Sequence, residues 1–131
     1  MKTIQIEFGL QGPPKVFPNT EVCLSGETIV FVISSKNPLV ESVNLACNET
    51  SAEIFCCASG ARQHHCKIDL QDTSDPEMPK GAVIWGIAVE HNAELPRTLK
   101  YSIMPFVMGN PYKAGELDPF IIITKRPVAG K

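Results

Sequence analysis

Apolar and polar side chains alternate with a period of two from the first residues of this chain, with Ile4, Ile6 and Phe8 set between Thr3, Gln5 and Glu7. A strand turns successive side chains to opposite faces, so this pattern predicts a half-buried first strand. Residues 9–19 hold three prolines and two glycines, which predicts an extended crossover without a ladder. Val22 and Leu24 then alternate with Glu21 and Cys23, Ser25-Gly26-Glu27 supplies a turn, and residues 28–33 form a β-branched and aromatic run. Such a run predicts a central strand covered on both faces.

Lys36-Asn37-Pro38 breaks the pattern before Val40, Val43, Leu45 and Cys47 restore it. Short strand segments follow at 52–57 and 64–70, although 51–57 also fits a single helical turn. Residues 71–80 are polar and carry two prolines, which predicts a long loop. Runs over 82–90, 99–104 and 120–124 complete the strands, and Trp85 within the first of these is expected to fill the space between sheets. No stretch of ten residues repeats apolar positions at helical spacing with caps. The expected fold is therefore all-β, a two-sheet Greek-key β-sandwich of about eight strands, in one domain over residues 1–131.

Composition narrows the function classes. A hydrophobic share of 44% with 20% charged residues suits a packed core rather than a disordered chain. A net charge of -2 and the lack of any Arg- or Lys-rich stretch interleaved with aromatics argue against nucleic acid. No window approaches the ~18 apolar residues of a membrane-spanning helix, and no apolar run suits a signal-peptide core, so a cytoplasmic chain is expected. Five cysteines is an odd number, which fits a reduced compartment better than a secreted one.

The run from Val22 through Cys23-Leu24-Ser25-Gly26-Glu27-Thr28 to Ile33 resembles the strand, Gly-Glu turn and apolar strand of cupredoxin-like domains. Leu99-Lys100-Tyr101-Ser102-Ile103 and Asp118-Pro119-Phe120-Ile121-Ile122-Ile123 resemble that fold's last two strands. The resemblance implies a type 1 copper ligand set of Cys, His and usually Met in the loop joining those strands. Here residues 105–118 contain Met108 but neither cysteine nor histidine, so the blue-copper thiolate bond cannot form. The resemblance bears on fold and carries no copper function with it.

One constellation is chemically dense: Cys56, Cys57, His64, His65 and Cys66 lie within eleven residues, with a hairpin-like loop over 58–63. Pairing Cys57 with His64 would put Cys57, His64 and Cys66 on one face and Cys56 with His65 on the other. Two thiolates and an imidazole would suit zinc or copper(I), but the C-x2-4-C spacing of structural zinc sites is missing. The competing reading makes Cys23, Cys47 and part of this group small buried hydrophobes. A disulfide joining Cys47 to Cys56, or Cys57 to Cys66, is a further alternative that needs an oxidising compartment. His91 follows an apolar strand without a nucleophile elbow and reads as a solvated turn residue.

The expected function is a non-catalytic module, not an enzyme and with no resident cofactor, that associates with a protein partner or with itself. The alternative is a small metal-handling or redox-responsive protein built on Cys57, His64 and Cys66.

Overall fold

A computed structural model of the chain describes residues 1–49, 53–56, 62–88 and 95–125. Among these the backbone forms thirteen strands and one short 3-10 turn at Lys113–Gly115. The strands are β1 (Lys2–Phe8), β2 (Lys15–Phe17), β3 (Thr20–Leu24), β4 (Glu27–Ser35), β5 (Val40–Cys47), β6 (Phe55–Cys56), β7 (Arg62–Gln63), β8 (His65–Asp69), β9 (Gln71–Asp72), β10 (Lys80–Ala88), β11 (Arg97–Val107), β12 (Asn110–Pro111) and β13 (Phe120–Thr124). Eight of them have five or more residues, the expected strand number. No described helix is long and apolar enough to cross a membrane.

Two sheets face each other. The first runs β2-β1-β4-β10-β6-β7, with β9 also on β10, and the second runs β3-β13-β11-β5-β8, with β12 on β11. β1 lies parallel to β4 and β3 parallel to β13, while the other pairs are antiparallel. Because β2 joins one sheet and β3 the other, the chain changes layer within a few residues. This is the expected all-β, two-sheet sandwich, with both sheets mixed.

Period-2 alternation fills the space between the sheets. β1 and β4 send Ile4, Ile6, Ile29, Phe31 and Ile33 inward, and Leu45, Leu99, Ile103, Ile121 and Ile123 answer from the second sheet, all of them buried. Burying each such side chain stabilises the fold by about 1.5–3 kcal/mol before entropy is counted. Phe31, Phe55 and Tyr101 pack at the centre with ring centroids 5.5 to 6.5 Å apart in tilted and edge-on pairs, a geometry that aromatic quadrupoles favour.

Several expectations are corrected. The Pro-rich stretch over 9–19 does sustain a ladder, because β2 bonds β1 at Gln5, Ile6 and Glu7 from an edge position flanked by Pro14 and Pro18, where one side needs no donors. The loop over 71–80 starts with β9, which pairs Asp72 with Lys80. On β3 the phase is reversed: Cys23 is buried and Val22 is 49% exposed, since Cys23 lies beside the inward Ile123 of β13.

Trp85 points outward and is 51% exposed, not wedged between the sheets. The neighbouring Gly86 fixes this phase, because a Cβ there would stand 2.7 Å from the Ile54 carbonyl oxygen and 3.1 Å from the Phe31 ring. Only glycine lets β10 approach so closely, and its inward row is consequently Ile84, Gly86 and Ala88.

Candidate functional site

The dense constellation falls where the chain passes between the sheets. β6 and β7 form the expected hairpin, but they pair Phe55 with Gln63 and Cys56 with Arg62, so the register does not set residue 57 against 64. Cys57 itself lies outside the described residues, as does His91. His64 is the single residue between β7 of the first sheet and β8 of the second. Its carbonyl accepts a 2.7 Å hydrogen bond from the Cys47 N–H.

At that bend strict alternation fails. The His64 and His65 rings meet edge-on with centroids 4.5 Å apart, and His64 Nε2 lies 3.3 Å from His65 Nδ1. Cys66, one residue on, faces the core opposite Leu45 and is buried. Among the described residues no three His, Cys, Asp or Glu side chains gather into a group able to hold a metal ion.

Three cysteines take the place of small hydrophobes: Cys23, Cys47 and Cys66 belong to the buried core. Cys56 is a free, half-buried thiol, so a Cys47–Cys56 bridge is not formed. Burial, reinforced by the charges of Glu21 and Glu27, pushes the Cys23 thiol up to about 12. Such a thiol is neutral and inert near neutrality. Tyr101 is likewise buried, and its hydroxyl has no hydrogen-bond partner among the described residues. Burial, together with Cys47, raises its pKa as well. Met108, the remaining soft donor of the final connection, sits exposed in a turn at φ 53°.

A cleft of about 450 Å³ opens on the same side of the sandwich. Its walls are β8, through Cys66, Lys67, Ile68 and Asp69, and β10, through Val83 and Trp85. On β10, Val83 is 58% and Trp85 51% exposed. Their cross-strand neighbours are Val32, Val30 and Cys56, so the outer face of the first sheet carries an apolar row.

The second wall is a sheet edge, since β8 ends its sheet among the described residues. Cys47 donates its N–H to His64 and Leu70 donates its own to Glu41, at 2.7 and 2.9 Å. Antiparallel bonding alternates by two residues, so Cys66 and Ile68 also direct their backbone groups at β5. Lys67 and Asp69 therefore turn their N–H and C=O groups away from β5, toward the edge, where the Lys67 carbonyl accepts a long 3.9 Å contact from the Cys66 thiol. Lys67 holds its ammonium 5.2 Å from the centroid of the Phe106 ring, and the side chains of both residues are exposed.

The sequence singled out Cys56, Cys66 and Trp85 of these walls, but as members of the Cys/His constellation and a core filler and not as parts of one cleft. The signals were nonetheless present in Gly86 beside Trp85, which dictates the outward phase, and in the charged alternation His-Cys-Lys-Ile-Asp, which marks a guarded edge.

No family model matches the chain, and no curated protein does. Among solved structures it is similar to Fet3p, described as a multicopper oxidase that functions in iron import, at 10% identity and a TM-score of 0.46. That likeness covers 98% of this chain and 29% of Fet3p. It is also similar to PbICP-C, solved in complex with falcipain-2, at 9% identity and a TM-score of 0.45, covering 96% of this chain and 100% of the other. The chain thus spans less than a third of Fet3p.

Proposed function

We propose that this chain is a non-catalytic β-sandwich module that works by protein association, using the side of the sandwich bounded by β10 and β8. The observation that supports this reading most is the outward row of Val83 and Trp85, more than half exposed, beside Val30 and Val32 on β4. Apolar groups gathered on one face mark association sites, and tryptophan is among the side chains most concentrated at binding hot spots. A reducing cytoplasm suits the thiol of Cys56, which lines the same cleft.

Light scattering over a range of concentrations tests the proposal. The weight-average mass is expected to rise above the 14.3 kDa of one chain, and Trp85→Ser to shift that rise to higher concentration by about tenfold, as loss of a mid-sized hot spot does. The exposed position of Trp85 lets this variant fold. A mass fixed at 14.3 kDa at every concentration, or a variant that associates as well as the parent, contradicts the reading.

A further inference from the structure

Resting on the association reading, we infer that the partner at this cleft is a second copy of the same chain, joined antiparallel through the edge that β8 presents among the described residues, about a two-fold axis at Ile68. The edge directs N–H and C=O groups outward at Lys67 and Asp69, the Lys67 carbonyl holding only a long contact from the Cys66 thiol, and such an edge is a template for another strand. Its side chains then decide which strand fits.

Only registers that oppose outward-bonding residues complete the ladder, and three centred on this edge bring its charges together, of which the one opposing Asp69 to Asp69 joins two carboxylates and is unfavourable. If Lys67 opposes Lys67 of the second copy, two ammonium groups meet, which is unfavourable. If instead Lys67 opposes Asp69 of the second copy, the symmetry makes Asp69 oppose the second Lys67, and both pairs are complementary. In this second register the axis passes between the two Ile68 side chains. Ile68 then occupies a non-hydrogen-bonded site, where opposite residues come closest, at about 4.5 Å between Cα atoms.

The neighbours agree with that register. Cys66 meets Leu70 of the second copy on the core-facing side, and both are buried apolar residues. The Lys67 ammonium lies over the Phe106 ring of β11, on the inner side of β8, so pairing requires its flexible side chain to swing outward to the carboxylate of the second copy's Asp69. Two five-stranded ladders become one continuous sheet, and the second β8 lies along the cleft walled by Trp85 and Val83. The self-complementary spacing Lys67-Ile68-Asp69 is what selects a second copy over an unrelated strand.

Charge swaps in the full chain test this, read by sedimentation velocity at low salt. Lys67→Asp and Asp69→Lys each convert two attractive pairs into two repulsive ones, and each is expected to raise the dimer dissociation constant roughly thirtyfold. The double variant restores opposite charges and is expected to return to within about threefold of the parent. An equimolar mixture of the two single variants is expected to form the heterodimer. Circular dichroism of every variant should match the parent, since both side chains are exposed.

Single variants as tight as the parent, or a double variant as weak as the singles, would overturn the β8 pairing. A dimer insensitive to both charges yet weakened by Trp85→Ser would overturn it while leaving association through the β10 face in place. A parent that stays monomeric throughout would overturn both.

Discussion

Cys23 shows what burial does to a single side chain here. Its thiol is lifted from 9.0 to about 12, first by desolvation and then by the carboxylates of Glu21 and Glu27. A group whose folded pKa is raised adds stability that is complete below the unfolded value and is lost as pH climbs through the folded one. Between pH 9.0 and 12 the unfolded chain has released a proton that the folded chain retains, which weakens the fold by about 1.4 kcal/mol per pH unit. Urea titrations across this window should show a steeper decline for the parent than for Cys23→Ala. Parallel declines would show that the thiol titrates alike in both states. Tyr101 is raised in the same direction, chiefly by burial and least by Cys23 itself, so most of its contribution is common to parent and variant.

At the level of the strand, one glycine sets which side chains meet water. Gly86→Ala would place a methyl 2.7 Å from the Ile54 carbonyl oxygen, and that backbone must move to admit it. A loss of about 1–3 kcal/mol is expected from overpacking, measured as a lowered urea midpoint; an unchanged midpoint would mean that β10 does not pack as described. The long strands were legible from alternation: β5 and β13 occupy the expected spans, and β4 is central in its sheet. Phase was less legible, because period two alone assigns two faces without naming the inner one. β3 and β10 took their phase from a neighbouring isoleucine and from Gly86, contacts made only in the folded chain. β2, β6, β7 and β9 have two or three residues each, too few for a pattern, and are defined by their partners. Of the candidate site, the pairing of β6 with β7 was legible but not its register, and His64 escaped the alternation rule because the chain bends there.

For the whole molecule, two sheets enclose one apolar core, and among the described residues β8 is one of the strands, with β2, β3 and β7, at which a sheet ends. The short strands β6 and β9 pair with β10 at Trp85–Gly86 and Lys80–Gly81, and Val83 lies between them, exposed beside the cleft. Natural sheets guard such edges with charge, and here the guard of Lys67 and Asp69 complements itself across a two-fold axis. Concentration-dependent hydrogen exchange reads this most directly. Cys66 and Ile68 point their amides at β5 and should exchange slowly at any concentration. The amides of Lys67 and Asp69 are expected to exchange quickly in dilute solution and to become protected as concentration rises. Equally fast exchange of those two amides at all concentrations would contradict the account.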